Sequence, residues 1–269
     1  MVPSENERMR ATMYPAAGDG PHPTVLLLHG FPGGPGWSWI AGPLGEAGFN
    51  VLFLHPRGMW GSEGEFTLAN ALADGASALA FLRTEEARST YRIDPDRLVL
   101  VGHSFGGWLA LNTAAGRSEV RCVAALTPAN LGRYGERWGA DAQYRAAWTA
   151  SLRQVVEGES AVVRTSHSAE EFVTYLSENA GDYDVRRTLG ALGERPVLLL
   201  GARADRETPL EDHHRPLLQA FGSVPGARLT EVVLPTDHGF TNRRDLLAST
   251  LTGWLHHECL STLGGSRPM

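Results

Sequence analysis

Lysine is absent from the 269-residue sequence, so all 24 of its positive side chains are arginines. Without a lysine amine the chain cannot build a pyridoxal Schiff base, a Walker-type phosphate loop or a Ser-Lys dyad. Cysteine is nearly absent too. Cys122 and Cys259 stand far apart and suggest neither a disulfide framework nor metal-ligand spacing, so reduced thiols and a cytoplasmic location are expected. No apolar run approaches the roughly 18 residues of a membrane helix, and the polar residues 1–10, with Glu5, Glu7, Arg8 and Arg10, do not read as a secretory signal. A formal net charge of -6 gives no electrostatic ground for nucleic acid or an anionic membrane as partner. The expected partner is a small-molecule substrate, with a homodimer as the assembly left open.

The chain is well supplied with core residues and turn residues. Hydrophobic side chains make up 42% and charged ones 20%, enough to bury a full core, and 31 glycines with 16 prolines imply many tight turns. Short apolar runs bounded by turn residues recur at 24–29 (TVLLLH), 50–54 (NVLFL), 97–101 (RLVLV), 122–126 (CVAAL), 196–200 (PVLLL) and 229–234 (LTEVVL). Near-continuous Val/Leu runs of this length suit strands covered on both faces of a parallel sheet. Helical patterns lie between them, clearest at 67–83, where Leu68, Leu72, Leu79 and Leu82 share one face. Such alternation predicts a doubly wound α/β sheet whose ligands sit beyond the carboxyl ends of the strands. A further edge strand is expected before Tyr14, and 264–269 reads as frayed.

One interval breaks the rhythm. Between Asn130 and Arg195 no strand is apparent, and helical stretches at 140–156 and 169–179 fill about 60 residues, far beyond a normal connection. The expectation is a core of 1–130 and 191–269 with a helical cap, 131–190, lying over the strand ends. The aromatic residues of that cap, Tyr134, Trp138, Tyr144, Trp148, Phe172, Tyr175 and Tyr183, either line an apolar substrate chamber or pack the cap onto the core.

Directly after RLVLV the chain reads Gly102-His103-Ser104-Phe105-Gly106-Gly107 and enters a helical stretch. A serine with glycines two residues to either side, on a strand-to-helix turn, is a nucleophile elbow, because a side chain at Gly102 or Gly106 would clash there. The turn lifts the Ser104 hydroxyl clear of the backbone and leaves the Phe105 amide at a helix N-terminus, facing a developing oxyanion. A free hydroxyl is a poor nucleophile and needs a base. After an elbow the order is acid, then histidine, each following a strand. Asp205 follows PVLLL and His238 follows LTEVVL, so Ser104, Asp205 and His238 satisfy that order. Glu207 and Asp237 remain alternative acids, although a residue adjacent to His238 cannot easily orient its ring from behind.

The other histidines have simpler expected roles. His29 buttresses the first loop, His103 enters the elbow packing, His167 lies in the cap, and His55 makes a loop contact after NVLFL. The pairs His213-His214 and His256-His257 lack the spacing that sets two metal ligands on one helical face, so no metal and no cofactor are expected. The second oxyanion donor is expected in His29-Gly30-Phe31-Pro32-Gly33-Gly34, where glycine lets the backbone approach substrate and the Phe31 amide pairs with that of Phe105. This loop lacks the G-x-G-x-x-G pattern of a dinucleotide site. Trp37, Trp60, Trp138, Trp148 and Phe240 are candidate substrate-binding residues.

From 24 to 255 the chain resembles an α/β-hydrolase fold serine hydrolase. Arg57-Gly58-Met59-Trp60-Gly61-Ser62-Glu63-Gly64 and Arg92-Ile93-Asp94-Pro95-Asp96-Arg97, leading into the elbow, are similar to the catalytic domains of prolyl oligopeptidase-like and acylaminoacyl-peptidase-like enzymes. The short cap and the His29-Gly30-Phe31 loop are similar to small feruloyl or cinnamoyl esterases. The resemblance implies a mostly parallel sheet with a helical cap inserted after the sixth strand. It also implies acyl transfer to water by Ser104, with His238 and Asp205 completing the triad and Phe31 and Phe105 forming the oxyanion hole. Two departures stand out: the residues before Thr24 are too few for a β-propeller, and His55 replaces the usual Asp or Tyr before Pro56-Arg57-Gly58. A carboxylic ester hydrolase of small or medium apolar or aromatic esters is expected, because nothing in the sequence looks like a clamp for a peptide main chain or an N-terminal amine. A peptidase or amidase, a non-hydrolytic biosynthetic enzyme and a non-catalytic receptor are the alternatives.

Overall fold

The computed structural model describes residues 1–158 and 162–260; the expectation for 264–269 lies outside the described residues. Nine strands are described: β1 (Val2–Ser4), β2 (Glu7–Met9), β3 (Ala11–Tyr14), β4 (His22–Leu28), β5 (Asn50–Leu54), β6 (Ile93–His103), β7 (Val120–Leu126), β8 (Pro196–Ala202) and β9 (Arg228–Leu234). Seven form one sheet in the order β3-β5-β4-β6-β7-β8-β9, all parallel except β3, which runs antiparallel to β5 at the edge. The edge strand expected before Tyr14 is therefore present, preceded by the β1–β2 hairpin.

The reason for the continuous apolar runs is visible in the two cores. In β4, Leu26 and Leu28 face one cluster while Val25 and Leu27 face the other. The same alternation places Leu98 and Leu100 of β6 opposite Val99 and Val101. A strand buried on both faces has no position at which a polar side chain meets water, so the period-two signal disappears. Helices α1 (Ala41–Glu46), α2 (Leu68–Leu82), α3 (Glu85–Tyr91), α4 (Phe105–Ala114), α5 (Leu131–Ala140), α6 (Ala142–Val156), α7 (Ala169–Glu178), α8 (Arg215–Phe221) and α9 (Arg244–Trp254) complete the described fold. α2 begins where Thr67 accepts the amide of Asn70 at 3.0 Å, a side-chain cap.

The long interval after β7 is helical, with two differences from the expected pattern. The stretch expected at 140–156 is divided: Asp141 ends α5 and caps α6 by accepting the Tyr144 amide at 2.9 Å. The interval follows the seventh strand in chain order, which is the fifth of the main sheet because the β1–β2 hairpin stands outside it, and not the expected sixth. The cysteines require a correction as well. Cys122 of β7 and Cys259 beyond α9 form a disulfide with Cα atoms 5.8 Å apart, so the expected reduced thiols are absent. A separation of 137 residues leaves no spacing signal in the sequence. Among the described residues no helix is long and apolar enough to cross a membrane.

The stretch Arg57-Gly58-Met59-Trp60-Gly61-Ser62-Glu63-Gly64 serves the scaffold. Asp74, fully buried in α2, accepts both the Arg57 amide at 2.7 Å and its Nε at 2.6 Å, and also the Ser4 hydroxyl at 2.7 Å. The same guanidinium reaches Glu5 at 2.7 Å, and Ser62 Oγ donates to the His55 carbonyl oxygen at 2.7 Å. One buried carboxylate thus ties the N-terminal hairpin to α2 and to the loop after β5. Asp74→Ala leaves the Arg57 guanidinium, only 4% exposed, without its buried partner. A loss of about 3–5 kcal/mol in urea unfolding is expected, whereas substitution of the exposed Glu5 costs under about 1 kcal/mol.

Candidate active site

The site lies at the carboxyl ends of β4, β6, β8 and β9, where four loops converge. Ser104 sits between β6 and α4 with φ 56° and ψ -120°, a left-handed conformation that disfavours a serine. A Cβ on Gly102 would lie 1.9 Å from the Gly106 carbonyl oxygen, and one on Gly106 would lie 2.1 Å from that of Leu28. Both glycines are therefore fixed by contact with backbone, as the elbow reading required. The Ser104 carbonyl oxygen accepts the amides of Gly107 and Ala129, at 2.9 and 3.0 Å, and its own amide donates to Leu126 O at 2.9 Å. These bonds hold the strained residue from both sides.

Asp205 and His238 are joined directly. The His238 Nδ1 lies 2.7 Å from Asp205 Oδ2. The carboxylate also accepts the Thr208 hydroxyl at 2.7 Å and the amides of Glu207 and Thr208 at 2.9 and 2.8 Å. Burial pushes the Asp205 carboxyl up, but the hydrogen bond and charge of His238, with the Thr208 donors, outweigh it and hold the carboxyl below its ordinary value. The ionised acid fixes the ring with its proton on Nδ1 and leaves Nε2 as an acceptor.

Ser104 Oγ and His238 Nε2 are not hydrogen-bonded in this structure; His103 brings their backbones together. Its Nε2 lies 2.9 Å from the His238 carbonyl oxygen, its ring centroid is 4.6 Å from that of His238, and Trp37 stacks on it at 3.8 Å. The alternative acids have other roles. Asp237 binds the Thr241 amide at 2.9 Å and the Thr241 hydroxyl, and Glu207 Oε2 lies 3.5 Å from His238 Nε2, on the side of the ring away from Asp205.

The loop after β4 lies against the elbow, since a Cβ on Gly30 would come within 3.1 Å of Ser104 Cβ. Among the described residues no acceptor takes the amide of Phe31 or Phe105. Behind this loop His29 Nδ1 is 2.7 Å from Gly30 O, and His29 Nε2 is 2.9 Å from His55 Nδ1. A chain in which His55 donates to His29 and His29 donates to the carbonyl satisfies both bonds with neutral rings. The expected contact roles of His29 and His55 are thus realised by one pair.

Ser104 opens into a cavity of about 70 Å³ whose walls are almost wholly apolar. Phe31, Phe66, Leu68 and Phe105 come from the sheet side; Leu131, Tyr134, Trp138, Trp148, Leu152, Phe172 and Leu176 come from α5, α6 and α7. Of the candidate substrate-binding residues, Trp138 and Trp148 line this cavity. Trp37, Trp60 and Phe240 do not: Trp37 packs on His103, Trp60 donates its Nε1 to Pro32 O at 2.7 Å, and Phe240 is fully buried. Their nearness in sequence to the motif loops misled, because it carries no information on which side of a loop a ring falls. The sequence reading missed Phe66, and it missed Glu207 as a wall residue; neither has a local signature. A second cavity of about 280 Å³, lined by Thr165, His167, Tyr175 and Tyr183, shares Phe66, Leu68 and Phe172 with the first.

A parallel sheet with one antiparallel edge, a strained serine on a glycine elbow and an Asp-His pair at the ends of the last two strands define the α/β-hydrolase class of architecture. The family model described as "Alpha/beta hydrolase family" matches residues 25–250, and the chain belongs to that family. It is 26% identical over 211 residues to the uncharacterized protein YfhR of Salmonella typhi, a match covering 77% of this chain and 61% of that protein. The chain thus spans about three fifths of the length of that curated relative. Among solved structures, Est1E from Butyrivibrio proteoclasticus with ferulic acid bound superposes with a TM-score of 0.68 at 15% identity, covering 97% of this chain and 99% of that one. The acylaminoacyl peptidase of Pyrococcus horikoshii superposes with a TM-score of 0.68 at 14% identity, covering 99% of this chain and 42% of that one. At such identities the likeness is one of fold.

The buried histidines make the scaffold acid-sensitive. Burial lowers His29, His55 and His213 from the ordinary 6.5 to about 4, and holds His103 well below its ordinary value too. Between those values the unfolded chain binds protons that the folded one refuses, so stability is full above about pH 6.5 and is lost as pH falls toward about 4. Urea midpoints are expected to fall steadily between about pH 7 and about pH 4.5; a flat profile would contradict the neutral-pair arrangement.

Proposed function

We propose that the protein is a serine hydrolase that cleaves carboxylic esters of small, apolar acyl groups through an acyl-enzyme. The observation that carries this reading is the strained Ser104 opening into an apolar cavity beside a histidine whose Nδ1 is bonded to a buried carboxylate. In this reading Ser104 Oγ rotates to donate to His238 Nε2 and attacks the ester carbonyl as the ring takes its proton. Asp205 keeps the ring in the required tautomer and stabilises the imidazolium. The amides of Phe31 and Phe105, without acceptors of their own, take the negative charge that develops on the carbonyl oxygen. His238 then protonates the departing alcohol, and water, activated by the same ring, releases the acid.

The helices of 131–190 act as a cap in this reading, because they supply the outer wall of the cavity and shield the acyl-enzyme from bulk water. The size of the chamber favours short acyl groups: about 70 Å³ is well under the roughly 150 Å³ that admits a benzene ring. Est1E, whose solved complex holds ferulic acid, supports an ester-cleaving use of the scaffold.

Ser104→Ala is expected to lower kcat on a nitrophenyl ester by about four to six orders of magnitude with unchanged circular dichroism; a variant retaining most of its turnover would refute the assignment. Acyl chain length gives a second test. Nitrophenyl acetate and butanoate are expected to exceed the decanoate in kcat/KM by at least about tenfold, and an optimum at the long chain would remove the cavity as the acyl site.

A further inference from the structure

Among the described residues lining the cavity beside Ser104, Glu207 is the one acidic residue. Its main chain is held at both ends, by the amide that donates to Asp205 Oδ1 at 2.9 Å and by the carbonyl oxygen that accepts the Tyr134 hydroxyl. The side chain itself is 65% exposed, and Oε2 lies 3.5 Å from His238 Nε2. His238 has its proton on Nδ1, toward Asp205, so two acceptors, Nε2 and Oε2, face each other with no hydrogen between them. The serine hydroxyl can supply a proton to Nε2. Among the described residues no donor is hydrogen-bonded to the Glu207 carboxylate, which is left to solvent, and the arginines of the neighbouring α5 are engaged, Arg133 with Glu136 and Arg137 with Asp212.

A substrate ammonium group satisfies what this arrangement lacks. It offers N–H donors and a positive charge to Glu207, beside the cavity that Tyr134, Trp138 and Trp148 help to line. We infer that Glu207 is a specificity-determining residue that selects acyl compounds bearing an ammonium group a few bonds from the scissile carbonyl. A neutral acyl chain of the same shape gains nothing from the carboxylate, which stays hydrated, so among small acyl groups the side chain favours the one that carries the charge. The inference rests on Ser104 as the site of attack only for the position of the carbonyl.

The decisive comparison uses ethyl 3-aminopropanoate and ethyl butanoate, which differ by an ammonium in place of a methyl. Calorimetric titration of the Ser104→Ala protein is expected to show the ammonium ester bound about fivefold to tenfold more tightly. In the Ser104→Ala/Glu207→Gln protein the difference is expected to fall below about twofold. Equal affinities in the first protein, no binding of either ester, or a preference that survives Glu207→Gln would each overturn the proposal. The corresponding nitrophenyl esters separate it from the hydrolase reading. A Glu207-dependent binding preference without turnover of either ester upholds the cation site and removes the hydrolase. Ser104-dependent turnover without that preference does the reverse. If Glu207→Gln moves only the acid limb of the pH–rate profile, the carboxylate acts on the His238 proton and not on substrate, and the proposal fails.

Discussion

Everything at the candidate site depends on a backbone contact between two residues that have no side chains. Gly102 and Gly106 approach so closely that a single Cβ would overlap a carbonyl oxygen, and this closeness turns β6 into α4 within one residue. The turn forces Ser104 into a left-handed conformation, frees the Phe105 amide and presents the Ser104 carbonyl to the amides that hold it. Strain of this kind costs of order 1–3 kcal/mol and persists only where the surroundings over-determine it. Here the surroundings are the central strands, buried on both faces.

The electrostatic design is one of contrast. Asp205 is buried yet held ionised by four donors, while His29, His55 and His103 are buried and held neutral. His29 is partnered at both ring nitrogens and His103 at Nε2 alone, and these two rings support the loops that carry Phe31 and His238. The negative charge beside the His238 ring thereby lies at Asp205, on its Nδ1 side, and at Glu207, on its Nε2 side.

Much of this was legible in the sequence, for identifiable reasons. The strands were legible because burial on both faces writes continuous apolar runs, and the elbow because its glycines are demanded by sterics at fixed offsets. Asp205 and His238 were legible through their order after strands. Boundaries shifted where local chemistry intervened, as at Asp141, whose carboxylate caps α6 and divides a stretch that reads as one helix. The cavity wall was only partly legible. Trp138 and Trp148 reach it while Trp37 and Phe240 turn into the core, and the choice is made by tertiary packing that no local period encodes. The Cys122–Cys259 bond was invisible for the same reason, since its partners meet only once β7 and the end of α9 have docked.

That bond has a topological consequence. It closes a covalent ring that contains α5, α6, α7, β8 and β9, hence Asp205, His238 and much of the cavity wall, while Ser104 and Phe31 lie on the open chain before it. A break in the peptide chain anywhere within that ring opens the ring without dividing the molecule. The helices over the cavity can therefore be nicked, and Asp205 and His238 still remain tethered to the strand beside the serine.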